Sequence, residues 1–334
     1  MRRSFRYSAV LLVSTALLSA VAACAASPRS ASFHVPDEPL PSASGLDPSP
    51  SPSASASASA SPSRSASKGP APAPAPRGGK PGAGNTGPVA GTALAVVNGN
   101  QTFGTSGAVV SGKDFHGFVK VTGKNVTFKN CVFRGGVASG NAALLDTESG
   151  SGTVVQDSEF VPAHPAATID GIWASSTSIY RSNIHGSVDG VKTGSDVLIQ
   201  DSYIHDMSWF ASDPNQGGGE THNDGVQSFF GDARVTLRHN NIDMSTTKNG
   251  NAALQSSAND SHVDGNWLDG GGCTLNFDDH NVPLTGLQVT NNRFGRHSFY
   301  QCPILLSTRA VLVTNSGNVF DNTGGPIPPP QRHD

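Results

Sequence analysis

The chain has 334 residues, 14% charged and 36% hydrophobic, with 38 Gly, 23 Pro and a net charge of −3. Average globular sequences carry about 25% charged residues, so this one is rich in small residues instead. Residues 91–334 hold 14 Lys and Arg against 22 Asp and Glu, a net of −8, which excludes the basic footprint that a nucleic-acid partner requires.

Arg2, Arg3 and Arg6 form a basic start, followed by an apolar run from Ala9 to Leu18. A bilayer span needs about 20 apolar residues, so this run is too short to cross and reads as a secretory signal, residues 1–23. It ends in Val21-Ala22-Ala23-Cys24, which resembles a bacterial lipobox and implies lipidation of Cys24. Residues 24–90 are Ser-, Ala- and Pro-rich, including Pro70-Ala71-Pro72-Ala73-Pro74. Such sequence buries too little to offset its ordering entropy and reads as a disordered tether, able to reach on the order of 200 Å if fully extended. The expected location is outside a bacterial cell, held to the membrane only through the lipid.

Residues 91–334 read as one repetitive domain. The repeat is apolar-x-apolar-x-x-Asn/Ser-x-apolar, as in Val197/Ile199/Ser202/Ile204, Val235/Leu237/Asn240/Ile242 and Leu287/Val289/Asn292/Phe294. Its second apolar position falls at 128, 155, 179, 199, 237, 263, 289 and 313. Period-two alternation marks strands. Further strands recur between the copies, at Asp170-Gly171-Ile172, Asp189-Gly190-Val191, Asp224-Gly225-Val226, Ala253-Leu254, Thr274-Leu275 and Pro303-Ile304. Short strands at about 25 residues per turn describe a solenoid whose turns stack through parallel pairing. Over about 120–325 the pattern resembles the right-handed parallel β-helix proteins of the pectate-lyase-like superfamily. That resemblance implies an all-β, right-handed parallel β-helix of about eight or more turns, acting on carbohydrate.

Aligned turns give columns. Asn240, Asn266 and Asn292 share one with Ser158, Ser182, Ser202 and Ser316, a polar ladder for backbone groups at a bend; Cys131 occupies the same column as a small buried residue. Cys273 and Cys302 share another; parallel neighbours lie about 4.8 Å apart, a separation that a disulfide accepts, and export favours oxidation.

The 38-residue interval between 199 and 237 carries an insertion, 206–224, with Trp209 and the Gly217-Gly218-Gly219 run. Long loops in compact domains are usually functional or disordered, and the active site is expected beneath this one. Candidate catalytic residues are Lys192, His205, His222 and Asp224, with His222 and Asp224 two apart and so on one side of a strand. Trp173, Trp209, Gln227 and Arg238 are candidate substrate contacts. The outward column Trp173, Lys192, Gln227, Gln255 and Asn276 suits sugar rings and their hydroxyls. Asp170, Asp189 and Asp224 form an acidic column, read either as a site for Ca²⁺, which takes six to eight oxygens, or as Asp-Gly turn chemistry.

Three functions follow. A polysaccharide lyase would cleave a uronic-acid polymer by β-elimination, which needs a base and a cation near the uronate carboxylate; this is the leading expectation. A glycoside hydrolase would need paired carboxylates. A glycan-binding or structural lipoprotein would need neither. The partner is expected to be a polysaccharide, with no nucleic acid and no second subunit.

Overall fold

The computed structural model describes residues 78–333; the signal segment, Cys24 and most of the tether lie outside that range. The described chain winds through three all-parallel sheets, a parallel β-helix of about ten turns. Sheet A has ten strands, from Ala95–Asn98 to Val319–Phe320, and sheet B ten, from Gln101–Phe103 to Gln331–His333. Sheet C has nine, from Val109–Ser111 to Ala310–Ser316. Each turn runs A, B, C. The sequence repeat therefore spans a strand of sheet C, a corner and a strand of sheet A, and the intervening strands form sheet B.

The corner from C to A is tight because one residue takes the left-handed conformation. Asn130, Asp157, Arg181, Asp201, His239 and Asn291 all have φ between 45° and 57°, a region that Asn and Asp tolerate better than most residues. The ladder residue comes next. Asn266 Nδ2 donates to Asn292 Oδ1 at 3.0 Å and Asn292 Nδ2 to Asn318 Oδ1 at 3.0 Å, while the same oxygens accept the backbone N–H of Asn266 and Asn292. The last rung is thus Asn318 and not Ser316. A register shift between Leu284 and Gln288 moves the final copy along, so Leu312 pairs with Leu287 while Val311 and Val313 face solvent.

Inward columns fill the core. Phe115, Phe133, Phe160, Ile184, Ile204, Ile242 and Phe294 are fully buried along sheet A, each contributing about 1.5–3 kcal/mol of hydrophobic stabilisation. The rings of Phe133 and Phe160 stack at 4.5 Å.

Residues 81–89, expected in the tether, are docked on the solenoid. Pro81 O accepts from Asn241 Nδ2 at 3.0 Å, Gly87 N donates to Arg181 O at 2.8 Å, and Val89 N donates to Asn130 Oδ1 at 3.1 Å. The chain therefore meets the solenoid at a middle turn and runs back as a strap before entering its first strand at Ala95. The pattern of small and polar residues at 81–89 gave no apolar period to announce this.

Candidate functional site on sheet B

Asp170, Asp189 and Asp224 open the sheet B segments of three consecutive turns, and a Gly follows each. These glycines are not turn residues, since none has positive φ. They are needed for space: a Cβ on Gly190 would meet Gly225 O and Ile204 Cγ2, and one on Gly225 would meet Ile242 Cγ2 and Ala253 O. The repeated Asp-Gly-Ile/Val-x unit lets neighbouring turns close up while its fourth residue, Trp173, Lys192 or Gln227, enters the outward column in register.

The acidic column closes around a lysine. Lys192 Nζ lies 2.9 Å from Asp170 Oδ2 and 3.1 Å from Asp189 Oδ2. Trp173 Nε1 donates to Asp170 Oδ2 at 2.7 Å. Asp189 Oδ1 accepts the Asp224 backbone N–H at 2.7 Å, and Asn251 Nδ2 donates to Asp224 Oδ1 at 2.9 Å. Asp224 Oδ2 is buried without a partner. The three carboxyl groups are 4%, 3% and 0% exposed. Burial, partly opposed by Lys192 and reinforced by Asp170, pushes Asp189 up to about 6. Burial and then the Asp189 charge hold Asp224 well above the carboxylate range. For Lys192 burial disfavours the ammonium, but Asp170 and Asp189 outweigh it and its pKa lies above that of an ordinary lysine. The cluster therefore sets a charged lysine between Asp170 and Asp189 and holds Asp224 above the ordinary carboxylate range.

This arrangement does not fit the calcium site read from the sequence. Six to eight oxygens would be required, yet an ammonium already stands between Asp170 and Asp189, with an indole N–H on the same oxygen. Among the described residues no group of three or more His, Cys, Asp or Glu side chains is arranged to hold a metal.

The remaining candidates are divided among three faces. Gln227 pairs in register with Lys192 and continues into Gln255 and Asn276, as expected. His205 belongs to sheet A. It stacks at 5.0 Å on His185 and at 3.8 Å on Tyr203, and pairs with Asp206 (2.7 Å) and Asn183 (3.1 Å). Burial, chiefly, lowers its pKa. Arg238 ends a strand of sheet C beside Asp264. Neither shares a face with Lys192, because a three-sheet turn sends residues a few positions apart around a corner. His222 is exposed, and no hydrogen bond or ion pair joins it to Asp224.

Trp209 lies on the insertion, its indole N–H donating to Glu220 Oε2 at 3.1 Å and its ring beneath Lys248 Nζ at 3.4 Å. The insertion contains one 3₁₀ turn, Pro214–Gln216, capped by Asp213. Asn223 Nδ2 ties its base to Val188 O and Ser208 O, both at 2.8 Å. Near the tip, Asn215 and Asn141 exchange amide hydrogen bonds of 2.9 and 3.0 Å. Asn141 stands three turns before Asp224, so the insertion runs back along the A–B corner for about 14 Å.

Asn251 was not legible as a site residue; it precedes a strand with no pattern to mark it. The Asp189/Lys192 contact did have a signal, the three-residue offset repeated in Asp170/Trp173 and Asp224/Gln227. Two turns beyond Asp224, Cys273 and Cys302 are joined in a disulfide with Cα atoms 4.7 Å apart.

No protein-family model matches the chain, and a search of curated proteins finds no significant match.

Proposed function

We propose that the protein is an exported, lipid-anchored member of the pectate-lyase-like β-helix group that hydrolyses a glycan at the sheet B cluster. The observation that carries this reading is Asp224, a fully buried carboxyl whose Oδ2 has no partner and which burial and the Asp189 charge hold above the ordinary carboxylate range, one turn from Asp189. A glycosidase needs that pair: an acid to protonate the leaving oxygen and a carboxylate beside it. Backbones of adjacent turns are spaced about 4.8 Å apart, a spacing compatible with the carboxyl separation of about 5–5.5 Å that retaining enzymes use. Asp224 gives its proton to the glycosidic oxygen as the C–O bond breaks, and Asp189 attacks the anomeric carbon. Water then releases the sugar, its proton returning to Asp224. Lys192 and the Asp224 backbone N–H favour the ionised form of Asp189.

Hydrolysis is favoured over β-elimination because Lys192, one of three expected bases, is locked as an ammonium between two carboxylates, His205 and Arg238 lie on other sheets, and His222 is exposed with no bond to Asp224. Asp224 is wholly buried, so substrate entry requires movement of the segment just before it. That segment is the insertion, fastened near its tip by the exposed Asn141–Asn215 pair.

A panel of polysaccharides scored for new reducing ends and for near-UV absorbance tests this. Reducing ends with retained anomeric configuration and no unsaturated product are expected, with turnover lost in Asp224→Asn. An unsaturated product would establish elimination instead, and binding without turnover a recognition protein.

A further inference from the structure

The two ends of the solenoid are finished differently. At the C-terminal end the chain's own tail turns back: Val319 bridges antiparallel to Pro326, Ile327 packs against the core, and Gln331–His333 adds the last strand of sheet B. Arg332 Nη1 donates there to Ser307 O at 3.1 Å and to Ala310 O at 2.8 Å. At the N-terminal end no described strand pairs with the outer edges of Ala95–Asn98, Gln101–Phe103 and Val109–Ser111, the first strands of the three sheets.

The core is open at that end. One turn in, Phe115, Val121 and Phe128 are fully buried. Their neighbours in the first turn, Val97, Phe103 and Val110, are only partly buried, and they line a cavity of about 530 Å³ that reaches down to Phe115. Val96 and Val109 on the same strands are 60% and 72% exposed. Unpaired strand edges around an apolar mouth are a surface that proteins cover or blunt.

Size limits what covers it. The three strands offer ten residues, against about 20–30 per partner in a stable interface, so a second copy finds little to hold. A strand from the same chain needs less, because its tether supplies the effective concentration. Residues 25–77, outside the described range, hold four large apolar side chains, Phe33, Val35, Leu40 and Leu46. Two of these alternate in Ser32-Phe33-His34-Val35-Pro36, a strand pattern that puts both on one side. Sheet B takes inward residues at the same spacing, as with Val119 and Val121. Asp37 and Glu38 follow, and Lys113 lines the cavity. The reach is ample. The strap starts at Pro81 against Asn241, six sheet A strands from Ala95–Asn98, or about 29 Å. Residues 37–77 intervene, and about nine extended residues cover that distance.

We propose that residues 32–36 cap the N-terminal end of the solenoid as an added strand, with Phe33 and Val35 seated in the cavity. The capping depends neither on the lipid anchor nor on the hydrolase reading. Where Cys24 is the anchor, it stands eight residues before Ser32, so the cap holds that end of the solenoid within about 30 Å of the membrane and the spacer is a clasp.

Hydrogen–deuterium exchange on the mature chain tests this. The amides of 33–35 are expected to exchange at least 10-fold more slowly, relative to their intrinsic rates, than those of 53–60 in the same tail. In the double variant Phe33→Asp with Val35→Asp that protection is lost, and at least one of the three first strands exchanges at least 10-fold faster. Leu40→Asp with Leu46→Asp changes neither. These substitutions lie outside the solenoid, and unchanged exchange of the inner strand Val197–Gln200 shows that the fold is kept. Sedimentation of the same samples should show a monomer. Amides of 33–35 that exchange as fast as 53–60, or first strands indifferent to the Phe33/Val35 variant, overturn the proposal. A dimer whose dissociation on dilution frees the first strands overturns it as well and makes a second copy the cap.

Discussion

Replacing Lys192 by Met removes the ammonium that stands 2.9 and 3.1 Å from Asp170 and Asp189 while keeping most of the side-chain length. Removing one member of a buried ion pair typically costs about 3–5 kcal/mol; Lys192 is about a quarter exposed, so the lower figure applies. For a domain of this size about 3 kcal/mol corresponds to a fall in Tm of about 6–12 °C. The loss must depend on pH, and its direction is fixed. Asp189 already titrates at about 6 in the folded chain, above its unfolded value of about 3.9. A carboxyl whose folded pKa is raised costs nothing below the unfolded value, and its destabilising ionisation is complete above the folded one. Without Lys192 that folded pKa rises further, so the gap in Tm between Lys192→Met and the parent should be small near pH 4 and widen through pH 5–7. Thermal melts of the mature domain across pH 4–8 read this directly, with Lys192→Arg as a charge-preserving control. A gap independent of pH, or one under about 2 °C at pH 7, would refute the lysine-centred cluster.

Three further outcomes are expected. Cys24→Ala should release the protein from membranes into the medium, read by fractionation of cells; unchanged membrane association of an unlipidated chain would show that the anchor lies elsewhere. Cys302→Ser should lower stability by about 3–4 kcal/mol from the opening of a 29-residue loop, and equal denaturant midpoints for the oxidised parent and the variant would exclude that contribution. A chain beginning at residue 91 should be less stable than one beginning at 78, since the buried Asn241 amide loses Pro81 O, a change worth about 1–3 kcal/mol; identical melting temperatures would show the strap to be a passive contact.

The fold was largely legible because a solenoid writes its geometry into a repeat. Val197/Ile199/Ser202/Ile204 encodes two inward strand positions, a corner and a third inward position, and the structure returns each of them. The third sheet was less visible because the motif spans two strands, so only the spacing distinguishes one sheet from two. The site was half legible. Columns within a sheet followed from alignment: Trp173, Lys192 and Gln227 lie in register, and His185 opposes His205. What alignment cannot give is which columns share a face. His205 and Arg238 are near Lys192 in turn number but one corner away on either side, and the Asp189–Lys192 contact is diagonal, between columns that were read separately.

The position of the cluster follows from how stacking treats charge. In a parallel solenoid a residue repeated from turn to turn becomes a row with a spacing of about 4.8 Å, and like charges that close disfavour ionisation unless something intervenes. The acidic column is accordingly short. It begins after Ala143 and gives way to Ala252, so three carboxyls are all it holds. Within those three turns the repulsion is met in two ways: Lys192 bridges the first pair, and burial with the Asp189 charge raises the pKa of the third carboxyl. The C–A corner meets its polarity differently: its buried ions are paired, as Arg181 is with Asp157 at 2.7 Å, and the amides of Asn240, Asn266, Asn292 and Asn318 are bonded in a row. Sheet B instead places its buried acid, its bridged lysine and the unpartnered amide oxygens of Gln255 and Asn276 on one face. It does so in the turns from which the long insertion departs, between His205 and Asp224. That coincidence of unpartnered polarity with the long insertion is what makes this face the candidate site among the described residues.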